Sequence, residues 1–104
     1  MSSCQDCLIE NNTIVQGQSA FYSNGIVADN RSRGAGDGIS SNVVIKGNSF
    51  TMNGKNNSRA VNLNVSGSVI NNTGTNNAGL DSTGKPYTMT CVSTSQTNTN
   101  NNCG

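Results

Sequence analysis

A short unit of alternating apolar and polar residues recurs along this chain and constrains its fold more than any other feature. The clearest copy is residues 43–50, Val-Val-Ile-Lys-Gly-Asn-Ser-Phe, in which a Gly-Asn pair separates two apolar runs. Weaker copies occupy residues 8–14, Leu-Ile-Glu-Asn-Asn-Thr-Ile, and residues 64–70, Asn-Val-Ser-Gly-Ser-Val-Ile. Asn and Gly tolerate the left-handed backbone conformation of a tight corner. Each copy therefore predicts two short strands joined at a corner.

The spacing of the three copies predicts how they stack. Aligning Asn12 with Asn48 gives a step of 36 residues, and aligning Gly47 with Gly67 gives a step of 20 residues. A step of 20 residues is about one turn of a compact β-coil, in which like residues stack at about 4.8 Å. The two alignments predict the interior stacks Ile9/Ile45/Val65 and Ile14/Phe50/Ile70, with Asn12 and Asn48 at the corner.

The rest of the chain agrees with a coil of strands rather than a bundle of helices. Apolar residues do not recur at helical spacing over any long window, and the abundant Asn, Ser, Thr and Gly disfavour helix interiors. The longer first step is explained by a Gly-rich insertion at residues 29–38, which solenoids tolerate at a corner. The alternative all-β fold is an antiparallel sandwich, which would pair sequential strands as hairpins.

Charge and hydropathy exclude several classes of function. The formal net charge is +1 and only 11% of residues are charged, so no nucleic-acid partner is expected. No run of 18 apolar residues exists, so no membrane span is expected. The chain contains no His, which removes the commonest general base and the commonest metal ligand.

The unit at residues 43–50, preceded by Asp-Gly-Ile-Ser-Ser-Asn at residues 37–42, resembles the coils of right-handed parallel β-helix proteins of the pectate-lyase-like class. Polysaccharide-degrading enzymes and bacteriophage tailspikes belong to that class. The resemblance covers about residues 7–73. It implies an all-β fold, a short right-handed parallel β-helix of about three coils, and it specifies the scaffold more than the activity.

Residues 74–104 depart from the repeat. We therefore divide the chain into parallel β-helix coils at 1–73 and a C-terminal capping strand and irregular polar tail at 74–104. The capping strand is expected within residues 87–92, Tyr-Thr-Met-Thr-Cys-Val. Three coils leave unpaired backbone at an open end. Upstream β-helix coils, as in the C-terminal part of a longer chain, or self-association would cover that end.

The four Cys residues lie as one pair near each end of the sequence. An even number of Cys in an Asn-rich polar chain is typical of an oxidising compartment. We predict a Cys91–Cys103 disulfide that pins the tail. The state of Cys4 and Cys7 is left open. A zinc site needs two closely spaced pairs, and Cys91 and Cys103 are too far apart in sequence to be the second. A redox Cys-x-x-Cys motif needs a strand-helix context, which this region lacks.

The charged loop is the first candidate for chemistry. It contains Asp29, Arg31, Arg33 and Asp37, and a solvated loop is the simpler interpretation of these charges. The β-helix polysaccharide lyases that the chain resembles use acidic residues to hold calcium and an Arg as base, so the resemblance implies calcium as the one conceivable cofactor. Asp29 and Asp37 are also the conceivable carboxylate pair for glycoside hydrolysis.

Sugar binding without catalysis is the second candidate. Exposed Asn, Ser and Thr offer many hydrogen-bond partners, and Tyr22 or Tyr87 could stack on a sugar face. We therefore expect a β-helix segment of an extracellular or virion protein that recognises or degrades polysaccharide. The competing hypothesis is a purely structural or adhesive β-helix module without catalytic activity.

Overall fold

The computed structural model describes residues 4–17, 23–29, 40–55 and 58–103. Within these ranges the regular structure consists of ten short strands, and no residue lies in a helix. The strands are β1 (Gln5–Glu10), β2 (Thr13–Val15), β3 (Asn24–Ala28), β4 (Ser41–Lys46), β5 (Ser49–Met52), β6 (Arg59–Leu63), β7 (Gly67–Ile70), β8 (Thr73–Asn76), β9 (Thr90–Thr94) and β10 (Thr97–Thr99). The predicted all-β class is confirmed.

The strands form three parallel sheets that the chain visits in turn. Their orders are β1-β4-β7-β10, β2-β5-β8 and β3-β6-β9. Each strand from β1 to β7 therefore pairs with the strand three places further along the chain, as in a coil with three sides. The antiparallel sandwich is thereby excluded. A short parallel β-helix of about three coils is confirmed, and β10 begins a fourth coil.

The register between the first two coils agrees with the predicted step of 36 residues. Ile9 pairs with Ile45, and Ile14 pairs with Phe50. All four side chains pack in or against the hydrophobic core. The first half of each predicted stack is therefore confirmed.

The predicted register between the second and third coils is wrong. Ile45 pairs with Val69 rather than Val65, and Phe50 pairs with Gly74 rather than Ile70. The step is 24 residues rather than 20. The error came from aligning the wrong pair of glycines, because the third corner is an Asn-Asn pair and contains no glycine.

Two glycines that look alike in sequence have different structural roles. Gly47 lies at a corner with φ +66°, and its equivalent in the third coil is Asn71 with φ +56°. Gly67 instead opens β7 and pairs with Val43. A Cβ at Gly67 would collide with the carbonyl oxygen of Val43. Gly67 is therefore required by close strand contact and not by a corner.

Large and small residues alternate in the interior around Phe50. The Phe50 ring occupies the space that a Cβ at Gly25 would enter, with Cδ1 only 2.5 Å from that position. On the other side, a Cβ at Gly74 would lie 3.1 Å from the Sγ of Cys103 and from the Cε of Met89. The aliphatic stack thus ends at Gly74, where Met89 and a disulfide sulfur fill the space that a third large side chain would take.

Both cysteine pairs are disulfides. The predicted Cys91–Cys103 bridge is confirmed, with a sequence separation of 12 residues. Cys4 and Cys7 also form a bridge, with a separation of 3 residues. The first bridge ties β9 to the chain after β10, and the second closes a tight loop at the start of β1.

The C-terminal residues contribute strands to the same sheets. The strand expected within residues 87–92 is present as β9, which starts at Thr90 and pairs with β6 in parallel. The tail is more regular than predicted, because β10 extends the first sheet by pairing with β7. An isolated bridge from Thr73 to Asn102 continues the second sheet.

Candidate functional site

The corners of successive coils are joined by a ladder of asparagines. In each coil a residue with positive φ precedes the ladder Asn, giving the pairs 11–12, 47–48, 71–72 and 100–101. The Oδ1 of Asn48 accepts hydrogen bonds from the backbone N–H and Nδ2 of Asn12, at 2.9 and 3.0 Å. Asn72 accepts from Asn48, and Asn101 accepts from Asn72, in the same way.

The ladder confirms the predicted corner at Asn12 and Asn48 and adds two members that the sequence analysis missed. Asn48 and Asn72 are each only 1% exposed. Among the described residues, no buried side-chain N or O atom lacks a hydrogen-bond partner. These amides are therefore committed to the scaffold and do not contact a ligand. The recurring pair of Asn or Gly followed by Asn was the signal that would have located all four corners.

The charged loop is only partly described. Asp29 directly follows β3 and is half-buried. Arg31, Arg33 and Asp37 lie outside the described residues, as does Tyr22. The hypotheses of a calcium site and of an Asp29/Asp37 carboxylate pair therefore stay predictions.

The outward face of the sheet β2-β5-β8 bears rows of small hydroxyl side chains. Its inward row is Ile14, Phe50 and Gly74, so the residues on either side of this row point outward. The outward rows are Thr13, Ser49 and Thr73, and Val15, Thr51 and Thr75. Along each row the strands are about 4.8 Å apart. Five of these six side chains are Thr or Ser, so this face offers regularly spaced hydroxyl groups.

Residues 87–89, Tyr-Thr-Met, lie between two open cavities next to this face. One cavity is about 360 Å³ and is lined by Lys55 and Asp81 among others. The other is about 370 Å³ and is lined by Thr75 and Asn76 among others. Tyr87 lines both cavities. We call the two cavities together with residues 87–89 the Tyr87 cleft.

The backbone of Tyr87 is held from two sides. Its N–H donates to the carbonyl of Gly79 at 3.0 Å. Its carbonyl accepts from the Nδ2 of Asn76 at 3.1 Å, and the same Nδ2 donates to the Gly54 carbonyl at 2.9 Å. Asn76 thus fixes residue 87 against the end of β8. An aromatic side chain on a fixed backbone loses little conformational freedom when a ligand packs on it.

A tight turn positions the charged end of the Tyr87 cleft. Asp81 Oδ1 accepts from the Thr83 hydroxyl at 2.6 Å and from the backbone N–H groups of Thr83 and Lys85 at 2.8 and 3.0 Å. The Thr83 hydroxyl bond, followed by the Lys85 amide, holds the pKa of Asp81 below its ordinary value. Asp81 is therefore ionised at neutral pH and is a poor proton donor.

The described lining of the cleft offers one carboxylate and several hydrogen-bonding groups. Glycoside hydrolysis needs two carboxyl groups about 5–9 Å apart, one of them protonated. The described residues that line the two cavities include one carboxylate, Asp81, and one ammonium, Lys55. The other lining residues include hydroxyl, amide and aromatic groups, which suit hydrogen bonding and stacking. Pro86, Met89 and Cys103 add apolar or sulfur-containing surface.

Comparison with known proteins gives no further assignment. No protein-family model matches this chain, and no curated protein or solved structure shows significant similarity to it. The described part of the chain holds no apolar helix of membrane-spanning length.

Proposed function

We propose that this chain is a carbohydrate-binding β-helix segment of an extracellular or virion protein, with polysaccharide as its ligand and the Tyr87 cleft as its binding site. The observation that carries the proposal is that Tyr87 lines two cavities at the edge of the hydroxyl rows, one with a mainly polar lining and one with a more apolar lining. Thr75 belongs both to an outward row and to the lining of one cavity. A polymer could therefore lie along the sheet and enter the cleft without a break.

The chemistry of this surface suits sugar. A pyranose presents hydroxyl groups at its edge and an apolar patch of C–H groups on its face. The Thr75 hydroxyl can donate and accept hydrogen bonds at the edge, and the Tyr87 ring can cover the face. Lys55 and Asp81 offer one charge of each sign, which favours a neutral or weakly charged glycan over a strongly anionic one.

Two further features support an extracellular protein that acts on polysaccharide. Both disulfides would persist only in an oxidising compartment. The parallel β-helix is also the scaffold of the pectate-lyase-like class that the repeat at residues 43–50 resembles. Degradation, as opposed to recognition, would require the loop residues Arg31, Arg33 and Asp37 or groups on another chain.

The test is binding of the whole chain to a panel of neutral and acidic oligosaccharides, followed by two substitutions at one residue. Tyr87→Ala should weaken binding about tenfold, since loss of stacking of about 1.4 kcal/mol corresponds to that factor. Tyr87→Phe keeps the ring and should retain affinity within about threefold. Gln96→Ala, at an exposed residue between β9 and β10, is the control and should bind as the parent does.

The structural hypothesis makes the opposite prediction. A module that only supports or adheres through its coils binds no oligosaccharide at millimolar concentration. Absence of binding across the panel would therefore refute the proposed function and favour the structural module. Binding that Tyr87→Ala leaves unchanged would refute the cleft as the site.

A further inference from the structure

The asparagine ladder follows one bonding rule in its interior. The Nδ2 of Asn48 donates forward to the Oδ1 of Asn72 at 3.0 Å and backward to the carbonyl of Ile9 at 2.9 Å. The Nδ2 of Asn72 likewise donates forward to Asn101 at 2.8 Å and backward to Ile45 at 3.0 Å. Each Oδ1 accepts two donors from the preceding coil. The ladder therefore has a direction, with side-chain acceptors at its start and donors at its end.

The first ladder residue departs from this rule. Among the described residues, no donor reaches the Oδ1 of Asn12. Its backward Nδ2 hydrogen is given to the carbonyl of Glu10 in the same coil at 3.2 Å, and the described residues include no earlier coil whose carbonyl could take it. Asn12 thus presents an open acceptor at the N-terminal end of the stack.

The last ladder residue departs from the rule in the complementary way. The forward Nδ2 hydrogen of Asn101 is given to the Oδ1 of Asn98 in the same coil at 2.7 Å. Its backward hydrogen obeys the rule and goes to the carbonyl of Val69 at 2.8 Å. Asn101 thus presents donors at the C-terminal end of the stack.

The backbone at the corner has the same complementarity. The residue before each ladder Asn donates its N–H forward, as Asn11 does to Lys46 at 3.1 Å. By this pattern the N–H of Asn100 points out of the C-terminal end. The residue after each ladder Asn donates its N–H backward, as Ser49 does to Asn12 at 2.9 Å. The N–H of Thr13 therefore points out of the N-terminal end.

We propose that the N-terminal end of the stack binds the C-terminal end of a second copy of this chain, head to tail, so that the ladder continues across the junction. Asn101 of one copy donates its backbone N–H and its Nδ2 to the Oδ1 of Asn12 in the next. Asn100 donates to the carbonyl of Glu10, and Thr13 donates back to the carbonyl of Asn101. The bond from Asn12 Nδ2 to the Glu10 carbonyl and the bond from Asn101 Nδ2 to Asn98 Oδ1 are replaced by bonds between copies.

The side chains at the junction fit closely in one of the three sheets. Ile14 continues the row of Phe50 and Gly74, so it meets Cys103, which follows Asn102 in that sheet. Both of these side chains are half-buried in the single chain and lose water on docking. In the third sheet β9 belongs to the third coil, and the described residues supply no fourth-coil strand above it, so one empty layer separates Ile26 from Val92.

The first sheet fits less well and limits the strength of the contact. Asn98 lies in the row of Ile45 and Val69, so Ile9 meets an amide instead of an aliphatic side chain. Burying an amide beside Ile9 offsets part of the apolar gain. The association is therefore weak and depends on concentration. Because the two surfaces differ, it does not close, and it yields linear stacks.

The first test is sedimentation of the chain over a range of concentrations. The mean mass should rise with concentration beyond that of one chain. Thr13→Pro removes the outward N–H and places a ring at the junction, but it breaks no hydrogen bond described within the chain. This variant should stay monomeric with the circular dichroism of the parent, while Thr13→Val, which keeps the N–H, should associate as the parent does.

The second test determines how the two copies are oriented relative to each other, and it does not depend on whether Thr13→Pro folds. Thr13 of one copy should follow Asn102 of the other, because Asn102 bridges to Thr73 and Thr13 belongs to the same row. Thr13→Cys and Asn102→Cys chains are mixed and treated with a short bis-maleimide. Dimers should form in the mixture and not with either variant alone. Dimers of Thr13→Cys alone, or a constant monomer mass in sedimentation, would overturn the proposal.

Discussion

The first and second coils contain equivalent residues, but they differ in burial at four interior rows of the register. At a fifth row, Ala28 of the first coil is as buried as its partner Leu63. Cys7, Ile9, Ile14 and Ile26 of the first coil are half-buried. Their partners in the second coil, Val43, Ile45, Phe50 and Val61, are at most 1% exposed. The residue types are similar, so the difference comes from the number of neighbours. The second coil is covered on two sides, and the first has a described neighbour on one.

This comparison predicts that the second coil contributes more to stability than the first. A row is buried more completely when a coil lies on each side of it. Residues 41–52 have that environment in the first two sheets, because β4 and β5 each pair on both edges. A substitution in the second coil should therefore cost more than the same substitution one row earlier.

The largest expected contrast is between Phe50→Ala and Ile14→Ala. Phe50 is 1% exposed and fills the space between Gly25 and Gly74, so its removal leaves a cavity that backbone cannot fill. We expect a loss of about 4 kcal/mol of unfolding free energy for Phe50→Ala. Ile14 is half-buried, and its loss should cost about 1.5 kcal/mol. Denaturant unfolding of both variants gives the two values.

Equal losses would refute the comparison between the coils, because they would mean that Ile14 is as enclosed as Phe50. Ser49→Thr, at an exposed residue next to Phe50, is the matched control and should change the unfolding free energy by less than about 0.5 kcal/mol.

The sequence predicted the parts of this fold that repeat locally. Ile9/Ile45 and Ile14/Phe50 were found because aliphatic or aromatic residues recur at the same distance from an Asn corner. The corner itself was found for the same reason at Asn12 and Asn48. The Cys91–Cys103 bridge was predicted because these two cysteines form the C-terminal pair of the four.

The third coil was misplaced because its interior does not repeat the same residue types. Gly74 occupies the row of Phe50, and the missing volume is supplied by Met89 and Cys103 from later in the chain. A hydrophobic pattern cannot identify a row whose member has no side chain. The sequence pair Asn71-Asn72 marks this corner. Asn71 adopts a positive φ, and Asn72 accepts the hydrogen bonds of the ladder from Asn48.

The sequence predicted one type of residue at the candidate site, an aromatic side chain, but not the site itself. Tyr87 was recognised as an aromatic that could stack on a sugar. Its cleft depends on Lys55, Asp81 and Thr75, which come from separate parts of the chain and meet only through the coil register. No local pattern in the sequence brings these residues together.

The second contrast is between two rungs of the ladder. Asn48→Ala removes the acceptor for Asn12 and two Nδ2 donor bonds at a position that is 1% exposed. Leaving buried polar groups without partners should cost about 3 kcal/mol. Asn12→Ala removes side-chain bonds at an exposed corner, where water replaces them, and should cost about 1 kcal/mol.

Thermal unfolding of the two alanine variants, with Asn53→Ala as a control outside the ladder, measures this contrast. A cost at Asn12 as large as that at Asn48 would mean that the N-terminal rung is also enclosed on both sides. Association of two copies would also enclose Asn12, so the measurement is made at a low concentration, at which the chain is a single copy.

The smallest contrast is between the disulfides at the two ends of the stack. In the chain-entropy account, a bridge stabilises by restricting the unfolded chain, and the effect grows slowly with loop length. Cys91–Cys103 spans 12 residues and Cys4–Cys7 spans 3. Replacing the first pair by Ser should cost about 3 kcal/mol, and replacing the second should cost about 1 kcal/mol less than that. Cys103 also lies against Gly74 in the interior, so its loss removes packing as well as a constraint.

Denaturant unfolding of the two double-Ser variants tests both contributions. If the Cys4–Cys7 variant were the less stable, the N-terminal coil would depend on its bridge more than the C-terminal end does, which would reverse the relation between the two ends.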